Sequence, residues 1–181
     1  LMTNFTPTAI EGVFEIDFFN IKDDRGAFVK TFHAGKMEEQ GLETDFKESF
    51  YSVNNKDVIR GMHFQTPPDD HAKIVYCTSG SLIDVIVDIR KKSPTYGQYI
   101  MVELSGTNAK GVYLPTGTAH GFCVKEDNTC MVYLTSTVHS ASNDGGIHFD
   151  SFGCNWPTKN GIHSDRDLLF PTLAEFKTPF L

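Results

Sequence analysis

Leu82-Ile83-Asp84-Val85-Ile86-Val87-Asp88-Ile89 puts Ile83, Val85, Val87 and Ile89 on one face of an extended chain and Asp84 and Asp88 on the other. That is a period of two, carried by β-branched residues that favour a pleated strand. The flanking sequence repeats the signal in Gln98–Leu104, Lys110–Leu114 and Thr129–Thr135, and, with more polar side chains, in Arg60–Gln65 and His71–Tyr76. Turn residues separate these runs at Ser79-Gly80, Ser93-Pro94, Ser105-Gly106, Pro115-Thr116-Gly117 and Glu126-Asp127-Asn128. Short strands at such regular spacing predict an all-β sandwich or barrel. Helical pattern is confined to residues 33–41, ending at Gly41, and to a short turn capped by Ser164 and stopped by Pro171. With no repeat, low-complexity tract or linker, residues 1–181 are expected to form a single domain. Asp84 and Asp88 read as solvated or structural.

Composition narrows the functional classes. The 181-residue chain is 40% hydrophobic and 22% charged, as globular proteins are, and its 15 Phe and 6 Tyr suit a barrel interior. A net charge of −7 argues against a nucleic-acid partner, which usually requires a basic footprint. Cys77, Cys123, Cys130 and Cys154 lack C-x-x-C spacing, so buried reduced thiols are expected, with neither a disulfide framework nor a zinc site. No apolar run reaches a membrane-spanning length and no charged-then-apolar leader opens the sequence, in which Leu1 reads as an addition before a native Met2. A cytoplasmic protein without membrane contact is expected.

The chemistry concentrates in Arg60-Gly61-Met62-His63-Phe64-Gln65 and the run that follows it, which brings Lys73 within the reach of one hairpin. Alternation puts His63 with Gln65, Lys73 with Val75 and Cys77, and Tyr133 with Met131 and Thr135. Arg60 has the opposite parity to His63 unless Gly61 introduces a bulge. An isolated strand histidine reads as a half-buried hydrogen-bonding residue; Lys73 and Arg60 beside it point instead to a site. Taken alone, Tyr133 reads as core, Asp167 as a helix-start carboxylate, Lys73 as a rim cation and Arg25 as a turn residue. Pro115-Thr116-Gly117-Thr118-Ala119-His120-Gly121-Phe122 resembles the second motif of the cupin superfamily of small jelly-roll barrels. Metal-binding cupins add a His-x-His pair, whereas the matching region here is His63-Phe64-Gln65, so no metal is expected.

Asp24-Arg25-Gly26-x-Phe28, Arg60–Gln65, Lys73, Pro115–Phe122, Tyr133, Trp156-Pro157 and Ser164-x-Arg166-Asp167 follow the order of one family. Through them the chain resembles, over roughly residues 10–176, the dTDP-4-dehydrorhamnose 3,5-epimerases and their relatives acting on other nucleotide-linked 4-keto sugars. The resemblance implies a cupin-like jelly-roll β-barrel (double-stranded β-helix) with a few short peripheral helices. It also implies a homodimer with exchanged N-terminal strands and an epimerase that needs no cofactor. It casts His63 as general base, Asp167 as the carboxylate orienting it, Tyr133 as the acid on the opposite face of the sugar and Lys73 as the cation near the C4 oxygen. Arg25, Phe28, Glu48, Arg60, Gln65, His120, His139 and Arg166 are the implied substrate-binding residues.

Four places depart from the family pattern. Leu134 and Val138-His139 stand where a lysine and a Tyr-Tyr pair are common; Glu48 and Phe50 replace Gln and Asn; Lys30 replaces a glutamate; Arg166 replaces a lysine. These departures spare the base and the acid and leave open which nucleotide and sugar are used, and whether C3, C5 or both are inverted. A mono-epimerase, a 3,4-ketoisomerase and a non-catalytic sugar-binding cupin remain as alternatives.

Overall fold

The computed structural model describes residues 2–181; Leu1 lies outside them. Thirteen strands and two short helices follow in order: β1 (Asn4–Pro7), β2 (Phe14–Asp17), β3 (Phe19–Asp23), β4 (Gly26–Lys30), α1 (Ala34–Glu39), β5 (Glu48–Asn54), β6 (Ile59–Gln65), β7 (Lys73–Ser79), β8 (Ser81–Asp88), β9 (Tyr99–Ser105), β10 (Lys110–Leu114), β11 (Thr118–Val124), β12 (Thr129–Thr135), β13 (Asp144–Gly146) and α2 (Asp165–Leu168). One sheet runs β1-β2-β10-β7-β12-β5, a second runs β13-β6-β11-β8-β9, and β3-β4 forms a separate hairpin. All these pairings are antiparallel, and the two sheets pack as a cupin-like jelly roll.

Apolar side chains form three layers. Between the sheets lie Val75, Cys77, Leu82, Ile86, Leu104, Val112, Leu114, Phe122 and Met131. Behind the five-stranded sheet, Met62, Phe64, Val85, Val87 and Ile89 are covered by the C-terminal segment through Cys154, Leu173 and Phe180. Outside the six-stranded sheet, Ile16, Phe18, Ile74 and Tyr113 pack with Met37 of α1. Both faces of the central strands are therefore covered, which decides the two readings of Asp84 and Asp88 for a structural role over a solvated one. Asp84 and Asp88 are both fully buried. Asp88 is satisfied by Arg90, Ser93 and Thr95 in the turn that follows it. Asp84 instead faces the interior between the sheets.

The hairpin expected of the Arg60 and Lys73 strands is also corrected. β6 and β7 belong to different sheets, and the chain crosses from one to the other between them. His63 and Lys73 still meet, because their inward faces line the same interior. The short helices fall within the two expected stretches. His33 accepts from the Lys36 N–H to start α1, and Ser164 accepts from the Asp167 N–H to start α2. The four cysteines are free, three of them buried.

Candidate active site

One cavity of about 310 Å³ opens between the sheets, lined by His63 and Gln65 from β6, Lys73 from β7, His120 from β11, Tyr133 and Thr135 from β12, and Glu48, Phe50 and Ser52 from β5. Arg60, His71, His139, Asp144 and Arg166 complete its wall and mouth. Sheet alternation explains the selection, since on each strand these are the inward residues. β6 needs a further device. Arg60 pairs with Phe122 and His63 with His120, so three steps along β6 span two along β11. This bulge turns Arg60 to the same side as His63. Gly61 sits in it at φ +130°, where a Cβ would lie 2.6 Å from the Gly121 Cα and 2.8 Å from the His120 carbonyl oxygen.

His63 Nε2 lies 2.7 Å from Asp167 Oδ1, and Asp167 Oδ2 accepts from the Gly61 N–H at 3.0 Å. Burial pushes the Asp167 carboxyl up. The bonds from His63 and Gly61 and the nearby Arg166 charge outweigh that push and hold it below the usual carboxylate range. Asp167 is 3% exposed, so it presents to His63 a fixed negative charge shielded from water.

Tyr133 enters from the other sheet. Its ring stacks on Phe50 with centroids 4.6 Å apart, and its hydroxyl lies 3.0 Å from Ser52 Oγ. Burial raises the phenol to about 12, against the pull of the Ser52 bond and the Arg60 charge. Lys73, half-buried in the wall, is lowered to about 8 by burial, with Asp144 and Asp84 pulling the other way. His71 beside it is held neutral, lowered to about 3 by burial and by the Lys73 charge. His120 is hydrogen-bonded through Nε2 to Asp84, and burial pushes that aspartate above the usual carboxylate range.

The remaining predicted residues divide. Glu48 accepts the His139 N–H at 2.7 Å, and Arg166 donates to Asp144 at 2.8 Å, so the mouth is an interlinked polar rim. Gln65 lines the cavity, but its amide donates to the Asp69 carbonyl and accepts from the Ser140 N–H, fastening the loop after β12 to β6. Arg25 and Phe28 lie outside the cavity of their own chain. They sit on the exposed β3–β4 hairpin, where Arg25 pairs with Asp23 at 2.6 Å and Phe28 is 59% exposed. Sequence reasoning passed over Ser52, Asn54, His71 and Asp144. Glu48, Phe50, Ser52 and Asn54 share one parity on β5, and that periodicity was the available signal.

A cavity that brings the His63–Asp167 pair and Tyr133 together from opposite sheets, with Lys73 in its wall, suits proton removal and return on a bound molecule. Comparison with known proteins agrees. Residues 7–175 match the family described as dTDP-4-dehydrorhamnose 3,5-epimerase. The chain belongs to that family. The dTDP-4-dehydrorhamnose 3,5-epimerase of Shigella flexneri is 38% identical, covering 86% of this chain and 87% of its own. The dTDP-4-dehydrorhamnose 3-epimerase of Streptomyces niveus is 36% identical, over 93% of this chain and 83% of its own. Among solved structures, a 4-keto-6-deoxy sugar epimerase from the novobiocin biosynthetic gene cluster of Streptomyces spheroides superposes with a TM-score of 0.93 at 34% identity, covering 97% of this chain and 89% of that one. This family member is therefore an epimerase on a jelly-roll barrel. No helix among its described residues is long and apolar enough to cross a membrane.

Proposed function

We propose that this epimerase inverts carbon next to the ketone of a nucleoside-diphosphate 4-keto-6-deoxy sugar, with His63 as base and Tyr133 as acid. The observation that carries the reading is the descent of these two side chains from opposite sheets into one cavity. A proton beside a ketone is acidic enough to remove once the enolate is stabilised, and inversion then requires delivery from the other face. In the cycle His63 takes the C–H proton while Asp167 holds its ring and stabilises the imidazolium. Lys73 stabilises the charge developing on the C4 oxygen. Tyr133, a weak acid at about 12, still protonates an enolate carbon because the enolate is a far stronger base. Arg60 and Arg166 at the mouth suit the diphosphate.

We further propose a homodimer. Arg25 and Phe28 project from a hairpin that also exposes Ile21 and Val29, and β5 is an edge strand exposing Tyr51 and Val53. Pairing between copies would cover these apolar groups and bring a cation and an aromatic ring to the mouth of a neighbouring cavity. Work on a free nucleotide sugar fits a cytoplasmic protein and needs no cofactor.

Relatives named as 3,5-epimerases and as a 3-epimerase match at similar identity, so the carbons inverted are the point to measure. A panel of nucleotide-linked 4-keto-6-deoxy sugars in heavy water, followed by NMR at C3 and C5, provides the test. Deuterium at C3 alone identifies a mono-epimerase and at both carbons a double epimerase. No exchange with any member of the panel overturns the reading.

A further inference from the structure

The hydroxyl of Tyr133 ends a chain of hydrogen bonds that runs along β5 to Arg60. Asn54 is 1% exposed, and its orientation is fixed by its partners. Its Oδ1 accepts from Arg60 Nε at 2.6 Å, a group that can only donate. Its Nδ2 faces the carbonyl oxygens of Thr129 at 3.0 Å and Ser52 at 3.2 Å, which can only accept. The same Nδ2, which can only donate, lies 3.1 Å from Ser52 Oγ and shares its two protons between that oxygen and the two carbonyls. Among the described residues the Ser52 hydroxyl proton has one protein acceptor in reach, the Tyr133 oxygen at 3.0 Å. Ser52 is half-buried in the cavity wall, and placing its proton on the Tyr133 oxygen gives the chain a direction: Arg60 to Asn54, Asn54 to Ser52, Ser52 to Tyr133.

We propose that Ser52, oriented by Asn54, is a positioning residue for the acid Tyr133. Because the phenol oxygen accepts from Ser52, its own proton is left free to point into the cavity, where the substrate lies. When that proton moves, the electron pair of the enolate forms the new C–H bond and the phenol O–H breaks. The Ser52 hydroxyl then donates to the tyrosinate left behind, until water returns a proton to it after product leaves. Asn54 also ties this chain to Arg60, which lines the same cavity, so a substrate anion held by Arg60 and the acid Tyr133 are braced by one side chain.

This inference rests on the proposed reaction, but part of its test does not. In Ser52→Ala, titration of Tyr133 (read as the phenolate absorbance difference against a matching Tyr133→Phe chain) shifts upward, because the tyrosinate has lost its donor. In turnover, Ser52→Ala keeps substrate deuterium exchange through His63, loses net inversion by about 10- to 100-fold in kcat, and leaves KM little changed. Ser52→Thr, which keeps a hydroxyl, restores both the titration and the inversion. An unmoved Tyr133 titration in a folded Ser52→Ala chain overturns the inference whatever reaction the protein runs. So does loss of exchange and inversion in equal measure, or a Thr variant no better than Ala.

Discussion

His63 and Asp167 meet at 2.7 Å although 104 residues separate them, and the second oxygen of the same carboxylate is held by the backbone N–H of Gly61. One aspartate thus fixes the ring of the base and the bend of the strand that carries it. Asp167→Asn is expected to keep the fold and lower kcat by about 10²- to 10⁴-fold, the usual range for losing a general-base system. The carboxyl titrates below its unfolded value, so its contribution to stability is present above about pH 4 and is lost as pH falls through the folded value. Thermal unfolding of the two proteins should therefore differ at pH 7 and converge in acid.

Lys73 carries the opposite sign. Its folded pKa of about 8 lies below the ordinary 10.5, so the half-buried ammonium opposes folding at neutral pH, and that cost disappears as pH rises from about 8 to 10.5. Lys73→Met is expected to raise stability at pH 7 while abolishing turnover. In the native protein kcat/KM should fall above pH 8 as the cation is lost. A pH series of unfolding and of turnover on both chains checks the two signs together.

Gly61 has a local job with a measurable cost. Gly61→Ala would force a side chain onto backbone at φ +130° and against Gly121, and should destabilise by roughly 3 kcal/mol or more. Gly145→Ala, on the β13 strand beside β6, meets nothing within 4 Å and should be close to neutral. Denaturant unfolding of both variants separates the bulge from a general intolerance of the sheet.

The exposed hairpin yields a prediction about assembly. If a second copy supplies Arg25 and Phe28 to the cavity, Phe28→Asp should shift the protein from dimer to monomer in light scattering. Arg25→Ala should raise KM about 10-fold or more, with a smaller change in kcat, as loss of a binding contact does. A monomeric wild type with full activity contradicts this arrangement.

Much of this was legible in the sequence, because alternation is a local property. Alternation set the strand faces of His63, Lys73 and Tyr133, which line one cavity, and the glycine beside Arg60 pointed to the bulge seen where β6 pairs with β11. The misreadings arose where distant chain decides. Asp84 was open to a solvated reading because nothing near it announces that its face of β8 turns toward the other sheet, while the Val85 and Val87 face is the one covered by the C-terminal segment. β6 and β7 looked like a hairpin because a crossover between sheets and a turn within one leave similar polar connections. Ser52 and Asn54 went unnoticed because their importance lies in a hydrogen-bond chain to Tyr133 and Arg60, which only the folded sheet assembles.

The most direct test of the account is one turnover experiment in heavy water with a 4-keto-6-deoxy nucleotide sugar that the native chain accepts, run beside His63→Ala and Tyr133→Phe. The account predicts exchange and inversion in the native protein, neither in His63→Ala, and in Tyr133→Phe exchange that continues while inversion slows. Exchange at the native rate in His63→Ala would contradict it.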